Sequence, residues 1–208
     1  RRGDSAGRDA TDGGEGKGKE KGMNLAQFNR ELHPEDKAVK IRFCPSTPVG
    51  ELVFFTRGGM VKRSDWNDFT SMRAPGGAII LSEGDRLINV ENVDDDMNVL
   101  EVTSAGLCLV YRVTEIPVQG RKAAGVRGVK LGEGDDIAFG GQIDDEGEIS
   151  VMTDTGYVKR VIASTIDPAS RYLKGVKIVE LDRGKVVYIG TVKMPYDLAV
   201  VSGGETFR

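Results

Sequence analysis

Apolar residues in this chain come in short runs rather than at helical spacing. The runs at 52–56, 87–90, 99–103, 137–139, 149–153 and 186–189 are rich in β-branched and aromatic residues and are bounded by Gly, Asp, Asn or Pro. Runs of this length and with these flanks predict β-strands. Arg57-Gly58-Gly59, Ser104-Ala105-Gly106, Asp154-Thr155-Gly156 and Asp182-Arg183-Gly184 supply the positive-φ residue that a tight hairpin needs. The best helix candidate, at 24–32, is short. Nothing alternates strand with helix, which disfavours a parallel α/β sheet.

The pattern repeats. Residues 147–181 contain an apolar strand, a turn ending in Gly156, a basic strand start at Lys159-Arg160, and a Gly-Val block from Gly175 to Leu181. Copies or partial copies lie at 51–63, 98–111 and 198–208. The turn glycines Gly59, Gly106 and Gly156 are 47 and 50 residues apart, and Leu81, Leu131 and Leu181 are 50 and 50 apart. Asp36, Asp85 and Asp135 keep a similar interval, at 49 and 50. A period near 50 residues with room for about four strands is the content of one propeller-type blade, and such blades must cover one another's apolar faces. The expected fold is therefore all-β. It comprises a partial blade at 23–50, blades at about 51–96, 97–146 and 147–195, and a partial blade at 196–208.

Composition narrows the class. At 208 residues, 29% charged and 39% hydrophobic, the chain reads as a globular protein, and no run approaches the length of a membrane helix. Residues 1–22 contain no aliphatic larger than Ala and read as a disordered linker or loop, in which Arg2-Gly3-Asp4 is a chance triplet. The chain starts without Met and stops inside a repeat, which reads as a piece of something longer. Cys44 and Cys108 occupy unrelated positions and indicate neither a disulfide framework nor a zinc site, only small thiols in a reducing cytoplasm.

Candidate chemistry is sparse. His33 is the single histidine, and no Gly-x-Ser-x-Gly elbow occurs, so a nucleophile would lack its base and an enzyme site in a central channel is disfavoured. The acidic clusters at 94–96, 135–136 and 144–146 lack calcium-loop spacing and read as solvated turns. No metal ligand set is expected. Basic residues, in contrast, recur at fixed places in the repeat. Lys62-Arg63 and Lys159-Arg160 follow the turn glycine, with Arg208 near the matching place, while Arg73, Arg121-Lys122, Arg171 and Lys174 precede the Gly-Val block. One cation per blade at one radius makes a curved positive stripe suited to a bent phosphate backbone. The same residues equally suit protection of strand edges on a propeller-like protein-interaction scaffold. The net charge of −3 argues only against a uniformly basic binder.

The linked elements T-x-x-G-x-ϕ-K-R and Gln119 to Leu131, QGRKAAGVRGVKL, on a period near 50, resemble the C-terminal domain of the A subunit of bacterial type IIA topoisomerases, gyrase and topoisomerase IV. The resemblance covers about residues 23–208. It implies a β-pinwheel of four-stranded blades with exchanged strands and duplex DNA bent around a basic rim. It makes Lys62, Arg63, Arg121, Lys122, Arg127, Lys159 and Arg160 candidate DNA contacts, joined on charge by Arg73, Arg171 and Lys174. It also implies a bacterial, nucleoid-associated cytoplasmic setting and, as partners, the A-subunit core and the B subunit. ATP and magnesium would serve the whole enzyme, with no cofactor in this chain. The gyrase Q-R-R-G-G-K-G box has only a partial counterpart at Gln119 to Gly125, without the paired Arg and the Gly-Gly, which favours topoisomerase IV. The family's catalytic tyrosine lies in another domain, so Tyr172, after Arg171, is expected to be structural or DNA-facing, with no cleavage role.

Overall fold

The computed structural model describes residues 35, 37–42, 47–70, 76–193, 199–202 and 205–207. The expectations for the linker at 1–22, the helix at 24–32, His33, Cys44, Arg73 and Arg208 lie outside the described residues. The chain divides into a unit of residues 1–37 and a second unit of residues 38–208, which contains every element below.

Three hairpins carry the fold. They are β1 (Glu51–Thr56) with β2 (Met60–Asp65), β4 (Asn98–Thr103) with β5 (Leu107–Arg112), and β8 (Glu148–Thr153) with β9 (Val158–Ile162). Each first strand ends in a buried threonine. The hydroxyl oxygens of Thr56, Thr103 and Thr153 accept from the amides of Met60, Leu107 and Tyr157 at 3.0, 3.3 and 3.0 Å. The amides of Gly59, Gly106 and Gly156 donate to the carbonyls of the same threonines. The T-x-x-G element is thus a turn closed on both sides by one residue.

Each hairpin gains a strand from later in its own segment: β3 (Leu87–Asn92) beside β1, β7 (Ile137–Ile143) beside β4, and β11 (Val186–Val192) beside β8. The fourth strand comes from elsewhere. The two-residue strand β6 (Val126–Arg127), although it lies between β5 and β7 in the chain, pairs with β2 and gives the order β3-β1-β2-β6. Likewise β10 (Val176–Lys177) lies between β9 and β11 and pairs with β5, giving β10-β5-β4-β7. Among the described residues, segments 97–146 and 147–195 hold four strands each, one of which is handed back to the preceding sheet, and segment 51–96 holds three. The third sheet, β11-β8-β9, has three strands among the described residues, and a hairpin of β12 (Val200–Ser202) and β13 (Glu205–Phe207) follows. A one-turn helix, α1 (Asn67–Thr70), follows β2, and short 3-10 turns at Val113–Glu115 and Ala163–Thr165 follow β5 and β9.

The sheets stack face to face. Val53, Phe55 and Val61 pack with Val99, Leu109, Tyr111 and Ile137, while Leu100, Val102, Cys108 and Val110 pack with Ile149, Val151, Val186 and Ile189. Strands buried on both faces explain why β1, and β4 apart from Glu101, read as near-continuous apolar runs instead of alternating ones. Burial pushes the Cys108 thiol up to about 11, against a smaller pull from Lys159, so it is an inert core residue.

Two glycines admit the exchanged strands. Gly125 and Gly175 have φ of 89° and 81°, and a Cβ on either would run into the carbonyl oxygen of the host strand, that of Val61 or Cys108. Both demands exclude any other residue. One carboxyl group sits in the core among the described residues. Glu101 on β4 is wholly buried, its Oε2 accepts from the Tyr111 hydroxyl at 2.9 Å, and its Oε1 has no hydrogen-bond partner. Burial pushes this carboxyl up to about 8, despite the Tyr111 hydrogen bond and the Arg171 charge.

Gly125→Ala and Gly175→Ala are expected to lower unfolding free energy by roughly 2 kcal/mol or more, from the left-handed backbone alone plus the clash. Gly120→Ala, where a Cβ meets nothing within 4 Å, should be close to neutral. Denaturant melts of the three variants check this. For Glu101, a folded pKa above that of an exposed acid means stability is fullest below the ordinary carboxylate range and falls as pH rises towards about 8. Relative to Glu101→Gln, the wild type should lose up to about 1.4 kcal/mol per pH unit across that window. Parallel pH profiles for the two proteins would contradict this.

Candidate nucleic-acid interface

The repeated Lys-Arg pair after the turn glycine is built into the sheets. Lys62 on β2 is wholly buried, and its ammonium donates to the carbonyls of Ala78 at 2.6 Å and Arg121 at 3.1 Å, 5.6 Å from the centre of the Phe54 ring. Burial lowers its pKa, the Asp68 charge opposes this, and Arg121 adds to it. A side chain so enclosed cannot reach a phosphate, so Lys62 is removed from the candidate DNA contacts. Lys159, its counterpart, is exposed but makes the same kind of bond, to the Ile178 carbonyl at 2.8 Å. The arginines repeat too. Arg63 Nε lies 3.1 Å from Glu51 Oε2 and Arg160 Nε lies 3.3 Å from Glu148 Oε2. The Arg63 side chain is only 14% exposed and is spoken for by that pair, whereas the Arg160 side chain is 65% exposed. In the middle sheet the matching positions are the buried Leu109 and Val110, so this stripe is broken there.

The connecting loops before the Gly-Val blocks behave differently. They lie against one another in series, joined by the same two bonds each time. The Ile80 amide donates to the Ala123 carbonyl at 3.1 Å, and the Lys130 amide to the Leu173 carbonyl at 2.9 Å. Arg121 Nε donates to the Gly77 carbonyl at 3.3 Å, and Arg171 Nη1 to the Arg127 carbonyl. Arg171 is pinned further, its amide to Glu115 Oε2 at 2.7 Å and its Nε to the Glu115 carbonyl at 3.2 Å. Arg121 and Arg171 are thus loop staples, half-buried, with part of each guanidinium already used. The box-like stretch from Gln119 is one of these connecting loops. The Gln119 amide donates to the Arg63 carbonyl and its own carbonyl accepts from the Ser64 hydroxyl.

What the staples hold outward is a set of exposed cations, Lys122, Arg127, Lys130 and Lys174, none with an acidic partner among the described residues. Arg127, Lys130 and Tyr172 line a groove with Arg57, Glu83, Asp85 and Asp136. Two of the acids there are engaged. Asp85 accepts from the Thr56 hydroxyl and the Gly58 amide, and Asp136 accepts from Ser104 and from Arg57. Burial pushes the Asp136 carboxyl up, but those two hydrogen bonds and the charges of Arg57 and Lys185 hold it below the usual carboxylate range. Periodicity does not flag Lys130, because the same place in the neighbouring repeats holds Ile80 and Glu180. Among the described residues no three His, Cys, Asp or Glu side chains gather to hold a metal, and no helix is long and apolar enough to cross a membrane.

A family model for the "DNA gyrase C-terminal domain, beta-propeller" matches residues 50–94, 98–140 and 147–193, the segments that supply the three principal sheets. The chain is 35% identical over 156 residues to the A subunit of DNA gyrase from Staphylococcus epidermidis (strain ATCC 12228 / FDA PCI 1200), covering 73% of this chain and 18% of that protein. To the A subunit of Helicobacter pylori DNA gyrase it is 32% identical over 146 residues, 69% of this chain and 18% of that one. It therefore spans about 18% of the length of these relatives. Among solved structures, the C-terminal domain of DNA topoisomerase IV superposes with a TM-score of 0.75 at 27% identity, covering 82% of this chain and 55% of that one. The E. coli ParC C-terminal domain shares the fold at a TM-score of 0.62 and 19% identity, covering 76% and 68%.

The burial of Lys62 gives a direct test. Lys62→Met strands two carbonyls and is expected to cost about 1–3 kcal/mol of stability. Lys122→Met, at an exposed and unpaired position, should change stability by no more than about 0.5 kcal/mol. Denaturant unfolding of both variants checks this, and a neutral Lys62→Met would contradict the buried placement.

Proposed function

The chain belongs to the DNA gyrase C-terminal domain family, and from that premise we propose that it binds duplex DNA without sequence preference and bends it along its loop rim. The observation that carries the proposal is the series of stapled loops presenting Lys122, Arg127, Lys130 and Lys174 outward, none of them in an ion pair among the described residues. A phosphate backbone needs charge at intervals and little else. Each neutralised phosphate releases counterions, and a rigid curved rim offsets the cost of bending. Arg160 and Lys159 extend the set at the third sheet, with part of their capacity already taken by Glu148 and by the Ile178 carbonyl.

In this reading the chain is the DNA-handling part of the larger chain of a type IIA topoisomerase. It works beside the A-subunit core and the B subunit, at the bacterial nucleoid. Strand cleavage, ATP and magnesium belong to those other parts, and this rim contributes geometry and charge to supercoiling, relaxation or decatenation.

A protein-interaction scaffold is the second reading, and one observation favours it. On the third sheet Tyr157, Val158, Ile162 and Tyr188 are 55%, 40%, 52% and 51% exposed, and β9 has a free edge among the described residues. An open edge with apolar side chains accepts a further strand, which is a protein contact and not a nucleic-acid one.

Titrating salt against binding to a non-specific duplex separates the two. For Lys122→Glu/Lys174→Glu, the slope of log Kobs on log salt should be shallower by about 2 than for the wild type, at roughly 0.9 per lost phosphate contact. A folded wild type that fails to bind at low salt, or an unchanged slope in the variant, would sink the DNA reading.

A further inference from the structure

We propose that Tyr172 is a positioning residue for DNA. It holds the Arg127 guanidinium in place as a preset phosphate contact and lays its own ring beside the adjoining sugar. The inference rests on the DNA reading above and adds to it the residue pair that makes one contact of the rim rigid.

The first observation is the backbone. Tyr172 has φ of 67°, the only non-glycine residue at positive φ among the described residues. For a bulky L side chain that region is unfavourable, and a sequence free to choose would place Gly or Asn there. The repeat does not impose the conformation. Lys122, 50 residues earlier in the matching loop, is not in the positive-φ region. Strain present in only one of the two described copies of this loop points to the side chain that the strained backbone presents.

The second observation is how firmly the residue is held. The Tyr172 amide donates to the Gly128 carbonyl at 2.7 Å. On one side Arg171 is fixed to Glu115 through its amide and its Nε, and to the Arg127 carbonyl through Nη1. On the other side the Leu173 carbonyl accepts from Lys130 at 2.9 Å. The conformation is over-determined by bonds on both flanks.

The third observation is what the side chain does. Tyr172 is 39% exposed at the groove that Arg127 and Lys130 line. Arg127 Cζ stands 5.7 Å from the ring centre, and Arg127 Nη1 donates to the Tyr172 hydroxyl at 2.9 Å. That bond uses one N–H of a group that has five, and Arg127 has no acidic partner among the described residues. The nearby carboxylates of Asp85 and Asp136 are occupied by Thr56, Gly58, Ser104 and Arg57. A guanidinium held within 5.7 Å of the ring centre and anchored at one corner to its hydroxyl has lost part of its rotamer freedom before DNA arrives, so less entropy is lost on binding.

The test compares wild type, Tyr172→Gly, Tyr172→Phe and Arg127→Ala by thermal melting and by salt-dependent binding to a non-specific duplex. Tyr172→Gly relaxes the backbone, so it should melt no lower than the wild type, yet bind about tenfold more weakly, as expected for one lost charge-assisted contact. Arg127→Ala should make the log–log salt slope shallower by about 1, and Tyr172→Gly, which keeps the charge but not its placement, should shift it in the same direction by less. Tyr172→Phe keeps the ring but loses the hydroxyl that anchors Arg127, and its affinity should fall between those of the wild type and Tyr172→Gly. A purely structural tyrosine would move the melting temperature and leave the salt slope alone. If the wild type binds and Tyr172→Gly, shown to be folded, binds with the same affinity and slope, this inference is overturned by itself. If the wild type does not bind, the DNA reading falls and takes the inference with it.

Discussion

Two residues of each of the segments 97–146 and 147–195, Val126-Arg127 and Val176-Lys177, leave their own sheet and complete the one before. Almost every other feature of the molecule depends on this crossing. It can occur only because Gly125 and Gly175 have no side chain and adopt positive φ beside the host carbonyls of Val61 and Cys108. It ties neighbouring sheets by backbone hydrogen bonds as well as by apolar packing, which a simple stack of blades lacks. It also draws the following loop residues onto the previous sheet. The Gly128 amide donates to the Gly59 carbonyl and the Ile178 amide to the Gly106 carbonyl. The outer loops are therefore set at a fixed spacing by the same bonds that hold the fold together.

Cations divide into two populations on this frame. Lys62, Lys159, Arg121 and Arg171 donate to backbone carbonyls of the loops, and Arg63 and Arg160 pair with the glutamates that open the preceding strand. These residues are periodic because the structural task is periodic. Lys122, Arg127, Lys130 and Lys174 are presented outward by that scaffolding, and their positions follow the loops and not a strict repeat. A rim assembled from both has its loops bonded to the sheets, which is the fixed placement of charge that the proposed bending of a duplex needs.

Much of the architecture was legible in the chain. The β-rich runs, the threonine-to-glycine turns and the 50-residue interval all correspond to observed hairpins, because each depends on local pattern and turn chemistry. The exchange was not legible from pattern. A strand of two residues has no alternation to detect, and nothing in Val126-Arg127 says which sheet it will join. The site was legible only as a tendency. Lys62 and Lys159 are alike in sequence, yet Lys62 is enclosed by the loops that carry Ala78 and Arg121, and Lys159 remains exposed. Burial of a lysine is decided by what packs over it from residues 16 and 59 positions away. Lys130 was missed for the converse reason, since its place in the repeat is not basic elsewhere.

The claim on which the account rests most heavily is that this rim bends the DNA it binds, and resonance energy transfer between the two ends of a labelled duplex addresses it directly. A duplex of about 40 base pairs, well below the persistence length of roughly 150, is nearly straight when free. The account predicts that saturating protein brings the ends closer, for unrelated sequences alike. Saturated binding with the end-to-end distance unchanged would contradict it.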